Sequence, residues 1–146
     1  MSLRDLYQEL ILDHGNNPRH FGPVEEPCLT CQAHNPVCGD ELVLEAVVND
    51  TIEQLKFTGK GCAISMASAS MMCQQLQGLS CTEAKRILEA FLNLLTKTSE
   101  QATDIGKLEV FSGVRKYPQR VKCATLAWRA LESLLSNNDQ ATITTE

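Results

Sequence analysis

Apolar residues first recur at helical spacing. Leu3, Leu6, Leu10 and Ile11 predict an amphipathic helix over residues 2–14. Gly15 reads as its stop, and Asn16-Asn17-Pro18 continues the break. From Gly22 to Asp40 periodicity fades and prolines recur, which predicts a long ordered loop or an irregular strand. The chain then turns to β-formers. Glu41–Asn49 (ELVLEAVVN) and Thr51–Thr58 (TIEQLKFT), joined through Asn49-Asp50, predict a hairpin.

After Gly59 and Gly61 the pattern changes again. Cys62–Leu76 is small and apolar, rich in Ala, Ser and Met, and predicts a closely packed, largely buried helix. Ser80-Cys81-Thr82-Glu83 is a capping-box pattern that opens a second helix through about Leu95. Thr96–Asp104 is polar and is expected to be a mobile loop. Leu108–Val114 reads as a short helical turn and Pro118–Leu135 as a long final helix. The tail, residues 136–146, lacks an apolar face and is expected to be disordered. The sum is an α+β class, a small antiparallel β-sheet packed against several α-helices, in a single domain over residues 1–135.

A chain of 146 residues with 43% hydrophobic content is long enough to bury a core. Thirteen basic against eighteen acidic residues, a net charge of −5, argue against a general nucleic-acid binder. No apolar run approaches the roughly 20 residues of a membrane span. Charges at Arg4, Asp5, Glu9 and Asp13 break up the N-terminus as no signal peptide would. The expectation is a cytoplasmic protein with reduced thiols. Seven cysteines in that setting point to metal or sulfur chemistry rather than a disulfide framework.

Three cysteines have distinctive surroundings: Cys38 in NPVCGD, Cys62 in TGKGCAIS and Cys123 in RVKCATLAW. Cys62 and Cys123 are each placed where a loop turns into a helix. There, free N–H groups and the positive end of the dipole lower a thiol pKa and favour thiolate. Gly-Lys-Gly before Cys62 allows close backbone approach and supplies a cation, while Arg120 and Lys122 add charge near Cys123. Gly39 permits a tight turn that brings Asp40 beside Cys38. If these loops converge, Cys38, Asp40, Cys62 and Cys123 make a four-ligand set suited to zinc, or to an iron–sulfur cluster anchored on the thiolates.

Simpler readings stand beside this one. A cysteine is often a small buried hydrophobe, and that is the expectation for Cys73 and Cys81. A rival local site is Cys28, Cys31, His34 and Cys38, a C-x2-C-x2-H-x3-C run whose spacing matches no common zinc knuckle. His14 and His20 are assigned capping or surface roles, and His34 a plain loop role, with a place beside the metal as its alternative. Tyr7, Phe21 and Trp128 are assigned to packing. Arg120 and Lys122 are either supporting groups or a solvated rim.

NPVCGD, GKGCAISMASASMM and YPQRVKCATLAW together resemble the U-type iron–sulfur cluster assembly proteins, the IscU/SufU/NifU N-terminal family, from the first helix to Leu135. The resemblance implies an α+β fold with Cys38, Asp40, Cys62 and Cys123 gathered at one end. Two departures separate its branches. IscU-type members carry a histidine before the third cysteine, where this chain has Lys122, and a Leu-Pro-Pro-Val-Lys motif that YPQRVK matches poorly. The Ser80–Asp104 region is similar to the extra segment of SufU. Together these favour the SufU branch.

That resemblance implies a zinc-dependent sulfur acceptor, with sulfurtransferase-like chemistry. It would take persulfide sulfur from a SufS-type, pyridoxal-phosphate-dependent cysteine desulfurase and pass it to downstream iron–sulfur assembly proteins. Cys38 is the favoured acceptor, because its glycine-flanked loop is expected to move more readily than two cysteines at helix starts. The alternatives are a scaffold building an Fe–S cluster on the same ligands, and a zinc-stabilised interaction protein without sulfur turnover.

Overall fold

The computed structural model describes residues 3–26, 29–97, 104–136 and 142–145, without the side chains of residues 3, 4, 6, 7, 142 and 143. The chain runs through α1 (Leu3–Asn16), β1 (Leu29–Asn35), β2 (Asp40–Val48), β3 (Ile52–Lys60), α2 (Ala63–Leu76), α3 (Cys81–Thr96), a 3-10 helix (Gly106–Lys116), α4 (Pro118–Leu135) and β4 (Thr142–Thr144). The strands form one sheet in the order β3-β2-β1-β4. β1, β2 and β3 are antiparallel neighbours, and β4 runs parallel to β1. The α+β expectation holds: α2 and α4 pack against each other and against the sheet.

The β2–β3 hairpin forms as its residue pattern predicts, and one face of it is apolar. Leu42, Leu44 and Ala46 on β2 and Ile52, Leu55 and Phe57 on β3 are buried, while the residues between them turn outward. β1 falls in the stretch expected to be a loop or irregular strand. Its alternation is present but muted, because the inward side chains are Cys31, Ala33 and Asn35 rather than large aliphatics.

Ser80 caps α3 as the capping box predicts, its side chain accepting the N–H of Glu83 at 3.1 Å. Gly15 is a different case. It does not stop α1 but lies inside it, and a β-carbon there would sit 3.0 Å from the carbonyl oxygen of Ala63. Glycine lets α1 lie directly on the start of α2. Small residues do the same along α2, where every residue from Ser65 to Cys73 is buried.

Several polar groups in this core are paired. Trp128, fully buried and stacked on Phe91 at 4.2 Å, donates its indole N–H to Ser68 Oγ at 2.9 Å, and Ser68 donates to the carbonyl of Ala124. Ser70 bonds His14 Nδ1 at 2.7 Å and accepts the N–H of Arg19 at 2.7 Å. His14 is therefore a core residue, not a cap or surface group. His20 bonds the carbonyl of Leu55 at 3.0 Å through Nδ1, and Phe21 meets Phe57 edge-to-face at 5.2 Å.

Within the tail expected to be disordered, Thr142–Thr144 form β4, against residues 32–34 of β1. The edge of β1 offers unpaired backbone groups that a polar segment can satisfy without an apolar face. The side chain of Tyr7, residue Cys28 and most of the polar 96–104 stretch lie outside the described residues. No helix among the described residues is long and apolar enough to cross a membrane.

Candidate metal centre

The three motifs converge where β1 turns into β2 and where β3 leads into α2. Asn35 and Asp40 pair across the base of a hairpin whose four-residue tip, Pro36–Gly39, carries Cys38 into solvent. Gly39 closes that tip at φ +74°, a conformation that glycine adopts at little cost. Asp40 by contrast is fully buried. Its Oδ1 accepts the N–H of Cys62 at 2.8 Å, and Cys62 Sγ lies 3.8 Å from its Oδ2. Gly61 makes room for this. A β-carbon there would stand 2.5 Å from Asp40 Oδ1 and 3.2 Å from its Cα, so the carboxylate could not swing clear.

Cys62 is the N-cap of α2, its sulfur accepting the N–H of Ser65 at 3.4 Å. The bond it shares with Cys123 draws its thiol down to about 7, helped by the N–H groups of Ser65 and Ile64 and opposed by burial and by Asp40. Cys123 is not at a helix start. It is buried on the second turn of α4, which begins at Pro118, so no free helix-end N–H reaches it. Its thiol is held well above the ordinary range, first by Cys62, then by burial, with Asp40 and Cys38 adding to the effect. The expectation of two activated helix-start thiols is thus corrected to one, with Cys123 keeping the proton the pair shares.

Ligand atoms of Cys38, Asp40 and Cys123 all lie within 4.8 Å of one another. Cys62 joins them through its contacts to Asp40 and Cys123 rather than as a member of that tightest group. Tetrahedral zinc sets its thiolate ligands about 3.8 Å apart, so Cys38, Asp40 and Cys123 need only a small contraction to share one ion. Soft sulfur donors with one carboxylate suit zinc or iron–sulfur chemistry and would not suit calcium or magnesium. The donor set fits the metal that the sequence implies.

The supporting residues lie differently. The guanidinium of Arg120 rests over the Tyr117 ring, 4.6 Å from its centre, on an exposed surface. Lys122 is half-buried, and its backbone carbonyl accepts the Thr145 hydroxyl at 3.2 Å. Lys60, the expected cation beside Cys62, extends to Glu41, 4.0 Å away, at the surface.

Asn35 is a site residue that motif reading passed over. It is fully buried and donates from Nδ2 to Cys123 Sγ at 3.9 Å, while its Oδ1 has no partner among the described residues. Its position three residues before Cys38, in phase with Cys31 and Ala33, was the available signal.

The rival local site does not assemble among its described residues. Cys31 is fully buried in the core, where burial raises its thiol pKa, whereas His34, an odd offset along the same strand, faces the other side. Cys38 belongs to the other group, and Cys28 lies outside the described residues. Cys73 is buried, and its thiol is pushed far up by desolvation; Cys81 donates to the carbonyl of Asn49 at 3.3 Å.

Residues 6–124 match the family model described as NifU-like N terminal domain. The chain is 41% identical over 133 residues to the zinc-dependent sulfurtransferase SufU of Bacillus subtilis (strain 168), covering 90% of each protein. It is 37% identical over 141 residues to the iron-sulfur cluster assembly scaffold protein IscU of Streptococcus pyogenes serotype M1, covering 95% of this chain and 88% of that one. A crystal structure from Fervidobacterium islandicum AW-1, assigned as a scaffold protein for iron–sulfur cluster assembly in the SUF system, superposes with a TM-score of 0.83 at 33% identity. That match covers 90% of this chain and 98% of the other. With this fold and a Cys/Asp cluster at the meeting of its three motifs, the chain belongs to the NifU-like N-terminal domain family, the iron–sulfur cluster assembly family of IscU and SufU.

Proposed function

We propose that this protein is a zinc-dependent sulfur acceptor that takes sulfur from the persulfide of a SufS-type cysteine desulfurase and passes it on to iron–sulfur assembly. One observation carries the reading: the clustered thiols are unequal. Cys123 is buried, Cys62 is fixed as a helix cap, and Cys38 alone stands exposed on a glycine-closed hairpin tip. A pure coordination site has no need of one exposed member. An acceptor does, because its sulfur must reach a second protein. The identity to a zinc-dependent sulfurtransferase supports the same choice.

Cys38, Asp40, Cys62 and Cys123 are the residues that would hold the ion. Zinc bound there would keep its thiol ligands deprotonated at neutral pH. The hairpin tip then presents the Cys38 thiolate to the desulfurase. It attacks the terminal sulfur of the donor persulfide, a new S–S bond forms on Cys38, and the donor cysteine leaves as a thiolate. Asp40 stays with Cys62 through its bond to the Cys62 N–H, so the anchor side of the site keeps its shape while Cys38 moves.

A scaffold reading rests on a separate observation, the match to a scaffold IscU over 95% of this chain. Anaerobic purification with metal analysis separates the two. Stoichiometric zinc with stimulation of desulfurase turnover, lost in Cys38→Ser, is the result the acceptor reading expects. A labile iron–sulfur chromophore that transfers intact to an acceptor, without stimulated turnover, would replace it with the scaffold.

A further inference from the structure

The last described residue, Thr145, touches both the strand that leads to Cys38 and the helix that bears Cys123. Its backbone N–H donates to the carbonyl of His34 at 3.2 Å, and its hydroxyl donates to the carbonyl of Lys122 at 3.2 Å. His34 immediately precedes Asn35, at the base of the Cys38 hairpin, and Lys122 immediately precedes Cys123. One residue therefore ties the strand leading to Cys38 to the helix turn bearing Cys123. β4 aligns it by pairing Gln32 with Thr142, Ala33 with Ile143 and His34 with Thr144.

Without β4, the edge of β1 would be free over its last turns before the hairpin. The register of β1 against β2 would still hold the base through Asn35 and Asp40. The spacing to α4 would rest on inward side chains that are small, Cys31 and Ala33, and on the long Asn35–Cys123 contact of 3.9 Å. A tie in two hydrogen bonds at that point has leverage on the site while adding little to the core.

We propose that β4 and Thr145 form a latch that fixes the Cys38 hairpin against the Cys123 helix and so sets how readily Cys38 leaves the metal centre. Thr145 is a positioning residue: it acts through His34 and Lys122 and reaches no ligand itself. In its zinc aspect the inference rests on the proposed function. The latch itself is a property of the fold.

The test compares the full-length wild type with Thr145→Val, which removes the hydroxyl, Thr145→Pro, which also removes the N–H, and Thr145→Ser, which keeps both. Two quantities are read: zinc release into excess chelator, and amide hydrogen exchange across residues 29–40 in the metal-free protein. A residue bonded directly to a ligand typically changes metal affinity by about 10–100-fold, and this one stands a step further out. The expected result is release about 3–10-fold faster in Thr145→Val and faster again in Thr145→Pro, wild-type behaviour in Thr145→Ser, and accelerated exchange confined to the hairpin and its strand. Identical release and exchange in all four proteins would overturn the latch, as would acceleration spread evenly over the whole chain. If the wild type holds no zinc, the functional reading fails, and hairpin exchange alone decides the latch.

Discussion

Asn35 and Asp40 face each other across the base of the Cys38 hairpin, and each is bonded to a different one of the other two cysteines. Asn35 donates to Cys123 and Asp40 accepts from the Cys62 backbone. The hairpin is thus wedged between the two anchors by its own closing pair, with both wedge residues fully buried. Geometry at the tip is free to change while geometry at the base is not.

Replacing Asn35 tests the less obvious half of this wedge. Asn35→Ala removes the N–H directed at Cys123 together with a buried oxygen that has no partner among the described residues. The fold should survive, since an unsatisfied buried acceptor is itself destabilising by about 1–3 kcal/mol. Zinc affinity should fall by about 10–100-fold, as for other groups bonded to a metal ligand. Competition against a chromophoric chelator measures the affinity and thermal unfolding of the metal-free protein checks the fold.

Metal-free Cys62 should react with iodoacetamide as a thiolate with a midpoint near pH 7, because its thiol is drawn down to about 7. Its largest cause is the bond to Cys123, so Cys123→Ala should move the midpoint upward toward the ordinary thiol range. Cys62→Ser should abolish the neutral-pH phase. Peptide mapping of the alkylated protein across pH 5–9 assigns each phase; an unchanged midpoint in Cys123→Ala would mean that the helix end alone activates Cys62.

His14 gives the metal-free protein an acid-sensitive term. Burial holds its pKa below the ordinary 6.5, with Arg19 acting in the same direction and Asp13 opposing. The unfolded chain therefore takes up this proton more readily than the folded one. The stability tied to neutral His14 is present above about pH 6.5 and is lost as the pH falls through the lowered folded value. His14→Gln cannot titrate, so the stability difference between wild type and variant should shrink from pH 7 to pH 5. Urea unfolding at several pH values measures it, and parallel profiles would contradict the assignment.

How far the sequence revealed this molecule depended on the size of the signal. The β2–β3 hairpin and α4 were legible because large aliphatics marked their inward faces, and α3 because Ser80 and Glu83 supplied a cap. β1 was legible only as one of two alternatives, loop or irregular strand, because Cys31, Ala33 and Asn35 give its alternation little hydrophobic contrast. Gly15 misled for a related reason. A glycine can end a helix or admit a neighbour, and only the approach of Ala63 distinguishes the two. β4 was invisible because strand pairing at an edge uses backbone, which composition does not report.

At the site, the motifs identified the four side chains that meet, but not their inequality. A sequence can suggest that Cys123 begins a helix. Beginning that helix at Pro118, as the pattern also does, already puts Cys123 five residues inside it, and only the fold shows it buried there without free N–H groups. The exposure of Cys38 against the burial of Cys123 is a tertiary fact, and the proposed division of labour depends on it.

The central claim is that Cys38 is the thiol that receives sulfur. Its most direct test is mass spectrometric mapping after a single turnover of the zinc-loaded protein with a SufS-type desulfurase and L-cysteine, with alkylation trapping the products. The account predicts one added sulfur atom on the peptide carrying Cys38, absent in Cys38→Ser, with Cys62 and Cys123 unmodified. A persulfide on Cys62 or Cys123, or none on any cysteine while cysteine is still consumed, would contradict it.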